Sequence, residues 1–538
     1  MDFDHIIIGA GSAGCVLANR LSACGRRRVL LVEAGGSDRR FWMRVPLGYG
    51  RTFFDPRVNW RLQTCADPGL NGRRGYWPRG RVLGGSSSIN AMVFVRGLPE
   101  DFDDWEAQGN PGWGWADVAP VFRRLERFAG GDPGWRGRDG PLPVTDPGAQ
   151  LHPTCADFLA AGVQAGLGRS ADINGPDPEG VTTYQITTER GLRASAATAW
   201  LRPAMGRANL TVMTGALARR LTFEGTRATG VELRHRGQVV TARAHGGVIL
   251  CAGAIGSAQL LQLSGVGAGE RLAACGVAPV HSLPAVGRNL QDHLCIDHLY
   301  HARRPTLNDA LGTPMRRVWA GLRYLATRAG PLALSLNQAG GFVRSDPGAT
   351  RPDLQLYFSP LSYTRAPSGR RPLMHPDPFP GFMLGAQPCR PASRGHLEIR
   401  SPDPTAAPDI HPGSLSDPAD LAALLAGARL LRRLAATPAL AALIAQELSP
   451  GPTVTDDAAL VEDIRARAST VFHPCGTCRM GPDPATSVVD ARLRVHGLEG
   501  LRVVDASVFP AVTSGNTNAP TLMLAERGAD LILEDTRA

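Results

Sequence analysis

The sequence contains no lysine, so all 58 of its basic side chains are arginines. Without a lysine amine, the chain cannot form the Schiff base on which pyridoxal phosphate enzymes and lysine aldolases depend. The P-loop of nucleoside triphosphatases also needs a lysine, so that class is excluded as well. We interpret the arginines themselves as part of a compositional bias toward Arg, Ala, Gly and Pro.

Clustered positive charge is also missing, although the formal net charge is +10. The densest basic runs are short, at residues 26–28 and 432–433. A nucleic-acid surface needs a basic patch, usually with aromatic rings that stack on bases, so we exclude nucleic acid as a partner. Tyrosine is scarce, at seven residues, which argues weakly against an aromatic cage for a quaternary ammonium substrate.

Long apolar runs are absent too, and so is a second CxxC motif that could complete a zinc site. No stretch reaches the roughly 18 uninterrupted apolar residues of a membrane-spanning helix, and residues 1–5 lack the basic region of a signal peptide. Of ten cysteines, only Cys475 and Cys478 form a CxxC, a poor zinc site without a second ligand pair. We therefore predict no metal, free thiols and a cytoplasmic location, and leave open a peripheral contact with the inner membrane.

The amino-terminal segment has the pattern of a dinucleotide-binding unit. An apolar run at residues 4–9 is typical of a buried parallel strand, and it leads into the GxGxxG of residues 9–14. A helical pattern follows, and then a second apolar strand at 29–32 that ends in Glu33. Strand, glycine loop, helix, strand and acid stand in the order that such a unit requires.

Each residue of this loop has a physical role. Gly9 makes the tight turn, Gly11 lets the backbone approach a pyrophosphate, and Gly14 lets the helix pack against the strand. The helix N-terminus offers free N–H groups and a positive dipole end to the phosphates. Glu33 lies 19 residues after Gly14, where an acid hydrogen-bonds a ribose hydroxyl, and this favours FAD or NAD over NADP.

Three later segments predict further contacts with a ligand. The turn at Gly84 and Gly85, followed by three serines, exposes backbone N–H groups to a flat ligand. Residues 247–267 predict a buried strand that runs into a helix beside a nucleotide. Residues 501–505 read as a strand ending in an acid, and Asn518 with Pro520 begins a helix whose N-terminus would stabilise negative charge on a bound ring.

Taken together, these segments resemble the glucose–methanol–choline (GMC) oxidoreductases, and most closely the bacterial alcohol and choline dehydrogenase branch. A small departure is Ala258, where the family signature usually has Pro or Ser. The resemblance rests on six ordered motifs: the loop at 9–14, RVLGGSSSIN at 81–90, SGVG at 264–267, GRNLQDH at 287–293, HPCGTCRMG at 473–481 and GNTNAPTLMLAE at 515–526.

The resemblance implies FAD as the cofactor. Some members attach FAD covalently through a histidine, but Ile89 stands at the matching position here, so we expect non-covalent binding. The predicted FAD contacts are Gly9, Gly11, Ser12, Ala13, Gly14, Glu33, Ala34, Arg81, Gly84, Gly85, Ser86, Asn90, Ala91, Met92, Val93, Ala218, Ala252, Gly253, Asp505, Ala506, Asn518, Ala519 and Pro520.

The resemblance also implies a catalytic pair beside the flavin, which we assign to His473 and Asn518. His473 matches the motif histidine and is the candidate general base, since imidazole titrates near neutrality. Asn518 would hydrogen-bond the alcohol oxygen and also act as the N-cap of its helix. We expect Cys475, Cys478 and His293 to be structural residues.

We predict an α/β (overall α+β) fold with a Rossmann-like FAD-binding domain beside a substrate domain built on an antiparallel sheet. The FAD domain would take residues 1–155, 200–295 and 465–538, and the substrate domain 156–199 and 296–464. The second domain includes an amphipathic helix from Asp417 to Leu434. The active site would lie between the domains.

The predicted activity is oxidation of a primary alcohol, with electrons passed to a quinone or another carrier. The sequence leaves several alternatives open: an oxidase that uses oxygen, a choline dehydrogenase, a GMC-type lyase, a light-driven decarboxylase and a non-catalytic flavin-binding protein. It also leaves the particular alcohol and a homodimeric state open.

Overall fold

The computed structural model describes residues 1–363 and 376–536. Its strands in chain order are β1 (Asp2–Ile8), β2 (Val29–Glu33), β3 (Leu62–Asp67), β4 (Arg73–Trp77), β5 (Glu126–Phe128), β6 (Leu142–Val144), β7 (Gly180–Thr183), β8 (Thr188–Glu189), β9 (Leu192–Arg193), β10 (Leu210–Thr214), β11 (Ala216–Glu224), β12 (Arg227–His235), β13 (Gln238–Leu250), β14 (Val266–Gly267), β15 (His281–Ser282), β16 (Leu294–Ala302), β17 (Ala339–Val343), β18 (Leu354–Ser359), β19 (Gly381–Pro388), β20 (His396–Glu398), β21 (Asp409–His411), β22 (Ile444–Ser449), β23 (Ser469–Thr470) and β24 (Leu501–Val503).

The α-helices in chain order are α1 (Ser12–Ser22), α2 (Phe41–Arg44), α3 (Tyr49–Thr52), α4 (Pro99–Ala107), α5 (Trp115–Leu125), α6 (Thr154–Gln164), α7 (Arg202–Ala204), α8 (Gly253–Leu263), α9 (Gly269–Ala274), α10 (Leu307–Leu311), α11 (Pro314–Thr327), α12 (Pro418–Ala435), α13 (Pro438–Leu443), α14 (Asp457–Arg467) and α15 (Asn518–Asp535). Among the described residues, no helix is both long enough and apolar enough to cross a bilayer.

The first large sheet is mostly parallel and contains the predicted dinucleotide-binding unit. Strand β1 lies between β2 and β13 and pairs in parallel with both. Strands β10 and β24 extend the parallel set, whereas β11 and β12 join it as an antiparallel hairpin against β13. Strand β2 and the second half of β1 are buried on both faces, and their apolar runs Val29–Val32 and Ile6–Ile8 are those that the sequence predicts for a parallel sheet.

The second large sheet is antiparallel, in the order β17, β18, β19, β16 and β22, with β23 also paired to β16. Helices α6 and α12 pack against one face. Helix α12 confirms the predicted amphipathic helix, and the Asp417 side chain accepts a hydrogen bond from the N–H of Ala419 at its start. A Rossmann-like sheet beside an antiparallel one confirms the predicted fold class.

The predicted domain division stays a prediction, but all four of its boundaries fall inside structural elements. The boundaries at 155/156, 295/296 and 464/465 cut α6, β16 and α14, and the one at 199/200 cuts the π-helix Ala197–Leu201. Strand β23, assigned to the FAD domain, pairs with the sheet assigned to the substrate domain. A division that respects hydrogen bonding would place these boundaries outside the elements.

A buried ionic network fixes the segment that follows the double-glycine turn. Glu126, which has no exposed surface, receives hydrogen bonds from Arg96 at 2.5 Å and from Arg136 at 2.8 Å. Arg136 also contacts Asp172 at 2.7 Å. Arg96 follows the predicted flavin-contacting residues 90–93 in the chain, so this network holds the end of that segment.

We expect Glu126→Gln to lower the melting temperature by several degrees. The substitution keeps the shape of the side chain but leaves two buried guanidinium groups without their shared anion, which costs about 3–5 kcal/mol for a buried pair. The measurement is thermal unfolding followed by circular dichroism.

The matched control is Glu189→Gln, because the Arg127–Glu189 pair is about half exposed on both sides. An exposed pair contributes about 0–1 kcal/mol. Equal melting temperatures for the two variants would contradict a stabilising role for the buried network.

Candidate active site

A cavity of about 470 Å³ is lined by residues from both large sheets. At one end lie the carboxyl ends of β1 and β2 together with the glycine loop, and at the other end lie side chains of β16, β18 and β19. The antiparallel sheet and the glycine loop of the parallel sheet therefore face the same cavity. Such a cavity between two layers is where a cofactor and a substrate can meet.

The glycine loop has the close backbone contacts that its sequence predicts. A Cβ on Gly14 would lie 1.9 Å from the carbonyl oxygen of Gly9, so α1 can approach β1 this closely only with glycine at this position. Gly9 itself has a φ of +103° and touches the backbone of Cys251. A side chain at either position would displace the loop from the strands that form the cavity.

Three helix N-termini converge on this end of the cavity. The cavity is lined by the first residues of α1 (Ser12), α8 (Gly253) and α15 (Asn518). Each helix has at least 11 residues, so each presents the positive end of a dipole and first-turn N–H groups without partners inside the helix, of which that of Gly253 donates to Asp505. The arrangement fits a ligand that carries a pyrophosphate and a ring with developing negative charge, as FAD does.

Two buried carboxylates border the end of the cavity at which the glycine loop lies. Glu33 accepts hydrogen bonds from the N–H groups of Ala10 at 3.0 Å and Gly35 at 2.8 Å, and burial raises the pKa of Glu33 to about 7. Asp505 accepts from the N–H of Gly253 at 2.8 Å and thereby ties the end of β24 to the start of α8. Burial raises the pKa of Asp505 as well.

Most of the predicted FAD-contacting residues line the cavity, but five do not: Gly14, Arg81, Gly84, Ala519 and Pro520. Gly14 acts through helix packing, and the Arg81 guanidinium lies over the ring of Trp60, 4.9 Å from its centroid. Cavity residues that sequence reasoning missed include Tyr49, Arg79, Gln259, Asn516 and Thr521. Asn516 and Thr521 belong to the motif at 515–526 and Gln259 to the segment at 247–267, so these segments were predicted but the residues within them were not; the sequence around Tyr49 gave no signal.

His473 is buried, lines the cavity and is the middle member of a hydrogen-bonded chain of side chains. The Nδ1 atoms of His473 and His293 lie 3.0 Å apart, and Nε2 of His293 lies 2.9 Å from the carbonyl oxygen of Cys389. Nε2 of His473 lies 3.1 Å from Nδ2 of Asn516. His293, which we expected to be only structural, therefore contacts the candidate base directly.

The hydrogen-bond partners assign the proton positions in this chain. A carbonyl oxygen can only accept, so neutral His293 carries its proton on Nε2 and has a lone pair on Nδ1. His473 must then donate from its own Nδ1, which leaves a lone pair on Nε2. The basic nitrogen of His473 therefore faces the cavity and accepts a hydrogen bond from the Asn516 amide.

Electrostatics keep both imidazoles neutral. Burial lowers the pKa of His473 well below its usual value, and the neighbouring His293 and Arg79 act in the same direction. Burial also lowers the pKa of His293 to about 4. His473 is thus an unprotonated acceptor over the neutral pH range.

Asn516, and not Asn518, is hydrogen-bonded to His473, whereas the predicted catalytic role of Asn518 stays a prediction. Asn518 does not lie against His473; its side-chain oxygen accepts a hydrogen bond from the Ser12 hydroxyl at 2.8 Å, beside the glycine loop. Asn518 is also the first residue of α15, and Thr517 takes the N-cap position that we assigned to Asn518. The two asparagines are two residues apart in one motif, and only the start of the helix decides which one faces the histidine.

The backbone around His473 is held on both sides. The His473 N–H donates to Asp292 at 2.7 Å, and the Arg79 guanidinium donates to the carbonyl of Phe472 at 2.7 Å. Phe472 has a φ of +72°, a strained conformation for a bulky residue that persists only where its surroundings enforce it. The imidazole is therefore positioned by a rigid turn.

The far end of the cavity is formed by one face of the antiparallel sheet. Asp297, Gly385 and Tyr357 are neighbours across three strands. A Cβ on Gly385 would lie 2.7 Å from a carboxylate oxygen of Asp297, so the absence of a side chain at Gly385 is what lets this carboxylate lie over the strand. Tyr49, Phe53, Trp60, Tyr363 and Phe472 also line the cavity.

Comparison with known proteins agrees with this arrangement. GMC oxidoreductase family models match residues 3–295 and 391–525. The chain is 43% identical to an alcohol dehydrogenase (acceptor) of Pseudomonas putida, covering 99% of this chain and 96% of that protein. It is 42% identical to the mitochondrial choline dehydrogenase of Homo sapiens, covering 99% and 90%.

The fold is also similar to that of solved structures. The crystal structure of pyridoxine 4-oxidase from Mesorbium loti superposes with a TM-score of 0.88, at 34% identity and with 98% of each chain covered. The match extends over both the parallel and the antiparallel sheet. The chain therefore belongs to the GMC oxidoreductase family and is an FAD-dependent oxidoreductase of the alcohol-oxidising type.

Proposed function

We propose that the enzyme oxidises a primary alcohol to an aldehyde, with His473 as the base. The observation that supports this most strongly is a neutral imidazole whose Nε2 lone pair faces a cavity that also holds three helix N-termini. Bound FAD supplies the acceptor for the hydride that leaves the alcohol carbon. The hydroxyl proton goes to Nε2 of His473, so one proton and one hydride leave and an aldehyde remains.

The protein residues orient the alcohol and handle its proton. The Asn516 amide donates to Nε2 of His473, and the same N–H can donate to a substrate oxygen bound beside it. The other side-chain atom of Asn516, Oδ1, is buried and has no hydrogen-bond partner among the described residues. Oδ1 can accept a hydrogen bond from an O–H or N–H group of a bound ligand, whereas the alcohol oxygen would receive its hydrogen bond from Nδ2, which carries two N–H groups.

His293 acts as a positioning residue for this step. When His473 takes the substrate proton it becomes an imidazolium, and its Nδ1–H continues to donate to the lone pair of His293. Hydrogen bonding to the charged form stabilises it, which offsets part of the desolvation cost of charging a buried ring. The Cys389 carbonyl keeps His293 in the tautomer that can accept this bond.

FAD binds non-covalently in this proposal. Ile89 lines the cavity where covalent family members carry a histidine, and its alkyl side chain offers no atom that could form a bond to the flavin. The electrons then pass to a quinone or another carrier; the name of the Pseudomonas putida relative specifies an acceptor for that enzyme without saying which. Oxygen as the acceptor is the alternative.

We expect His473→Ala to slow anaerobic bleaching of the flavin absorbance by alcohol by about 10²–10⁴-fold, the usual contribution of a general base. Asn516→Ala removes a donor to the developing oxyanion and should cost about 10²–10³-fold. The measurement is stopped-flow reduction of the flavin with a panel of primary alcohols.

Asn518→Ala is the matched comparison, because it removes an identical side chain two residues away. It should slow reduction much less than Asn516→Ala while weakening retention of FAD, since its contact is with Ser12. The opposite ranking of the two asparagine variants would return the catalytic role to Asn518. Flavin that no alcohol reduces would overturn alcohol oxidation itself.

The lowered pKa of His473 predicts the pH dependence of kcat/KM. A base with a lowered pKa stays unprotonated to lower pH, so kcat/KM should remain constant from neutrality down to pH 6.5 and fall only in more acidic solution. The control is the flavin absorbance spectrum at each pH, which separates titration from loss of FAD. An acidic limb with a midpoint above 6.5 would contradict the assigned electrostatics.

A second candidate substrate class is a cationic amino alcohol such as choline. Asp297 lies over Gly385 and lines the cavity, and three of the seven tyrosines, Tyr49, Tyr357 and Tyr363, line the same cavity. A carboxylate with aromatic faces is the environment that a quaternary ammonium group prefers. This grouping removes the sequence-based argument against an aromatic cage.

Asp297→Asn distinguishes the two substrate classes. If the substrate is cationic, KM for choline should rise by about ten-fold or more, because a charge-assisted contact is lost, while KM for neutral alcohols stays nearly constant. Steady-state kinetics with an artificial electron acceptor measure both. An equal change for charged and neutral alcohols would eliminate the cationic class.

A further inference from the structure

Helix α11 presents to solvent the kind of apolar face that a helix ordinarily buries. Met315, Val318, Trp319, Leu322 and Leu325 follow the spacing i, i+3, i+4, i+7 and i+10, which places them in one stripe. Their exposure ranges from 52% for Leu322 to 68% for Met315. They are five of the twelve strongly exposed large apolar side chains in the described part of the chain, so the exposure is concentrated on this helix.

The opposite face of α11 is firmly anchored. Tyr324 is fully buried, and its hydroxyl donates to the carbonyl of Gly191 at 2.8 Å. Ala320 packs against the same buried cluster, which includes Leu307 and Leu332. The helix thus uses two faces, one packed on the protein and one directed outward, and the outer stripe is a fixed feature of the surface.

The charges beside the stripe all have the same sign. Between residues 314 and 330 the chain has four arginines, Arg316, Arg317, Arg323 and Arg328, and no acidic residue. Arg316 and Arg323 are seven residues apart and exposed, so they border the stripe along one side. An apolar face with tryptophan and leucine, bordered by arginines, is the composition of helices that lie in a membrane interface.

We propose that α11 docks the enzyme onto the surface of an anionic lipid bilayer. The apolar stripe would enter the boundary between headgroups and acyl chains, and the arginines would contact lipid phosphates. A second copy of the chain fits this surface less well. A two-fold interface through this helix would place the arginines of both copies in one interface, and residues 314–330 supply no acidic side chain to pair with them.

The docked surface lies next to the substrate cavity. Tyr49, Leu336 and Tyr363 line the cavity, and they pack in the same apolar cluster as Ala320 and Tyr324 of α11. The cavity wall and the inner face of α11 therefore belong to one packed cluster of side chains. Docking through α11 would bring this wall of the active site against the lipid, where apolar alcohols and quinones are concentrated.

Vesicle flotation of the FAD-loaded enzyme tests the proposal. We expect the wild-type protein to float with phosphatidylcholine vesicles that contain phosphatidylglycerol, and to float less with pure phosphatidylcholine or at high salt. Trp319→Ser combined with Leu322→Ser should reduce binding by at least about ten-fold. Arg316→Gln or Arg323→Gln should each reduce it about five-fold, because one arginine near an anionic surface contributes about 1 kcal/mol.

The matched control is Val163→Ser combined with Val239→Ser, which removes equally exposed apolar side chains elsewhere and should leave binding unchanged. Equal flotation of the wild type and the α11 variant would overturn the proposal. It would also be overturned if the wild type fails to bind vesicles and sediments as a dimer that the α11 variant dissociates. Because the assay measures lipid binding, its result is independent of whether the enzyme oxidises alcohols.

Discussion

The candidate active site depends on one hydrogen bond, the contact of 3.0 Å between Nδ1 of His293 and Nδ1 of His473. Two neutral imidazoles can share this contact only if one of them donates, and the Cys389 carbonyl on the far side of His293 decides which one. The consequence appears at the opposite edge of the second ring, where Nε2 of His473 keeps its lone pair and faces the cavity. The Cys389 carbonyl, which directly follows β19, thereby determines that Nε2 of His473 carries no proton, although two imidazole rings lie between these atoms.

The same contact joins the two layers of the molecule. His293 directly precedes β16 of the antiparallel sheet, whereas Asn516 directly precedes the N-cap of α15, which packs on α1 beside the parallel sheet. His473 lies between them, in a turn held by Asp292 and Arg79. A shift of one layer relative to the other would lengthen these bonds and change the proton positions. Rigid packing around the cavity is therefore part of the chemistry that we propose.

Sequence reasoning predicted the local parts of this structure well. The strand, glycine loop and helix at the amino terminus are formed by contiguous residues, so their pattern could be interpreted directly, and the roles of Gly9 and Gly14 follow from sterics alone. The contacts of His293, Asn516 and Asp297 arise where segments far apart in sequence meet. Two asparagines in one motif have the same chemistry, and only the exact start of α15 distinguishes them. The outward stripe of α11 has a spacing that also fits a buried helix face, so only the packed structure shows that it is exposed.

We propose that His473 presents an unprotonated Nε2 to the substrate because His293 accepts a hydrogen bond from its Nδ1. Neutron diffraction from crystals of the deuterated, FAD-loaded enzyme at neutral pH locates these protons. We expect deuterium on Nδ1 of His473 and on Nε2 of His293, with none on Nε2 of His473. Deuterium on Nε2 of His473 would contradict it, because that nitrogen could not then accept the hydroxyl proton of an alcohol.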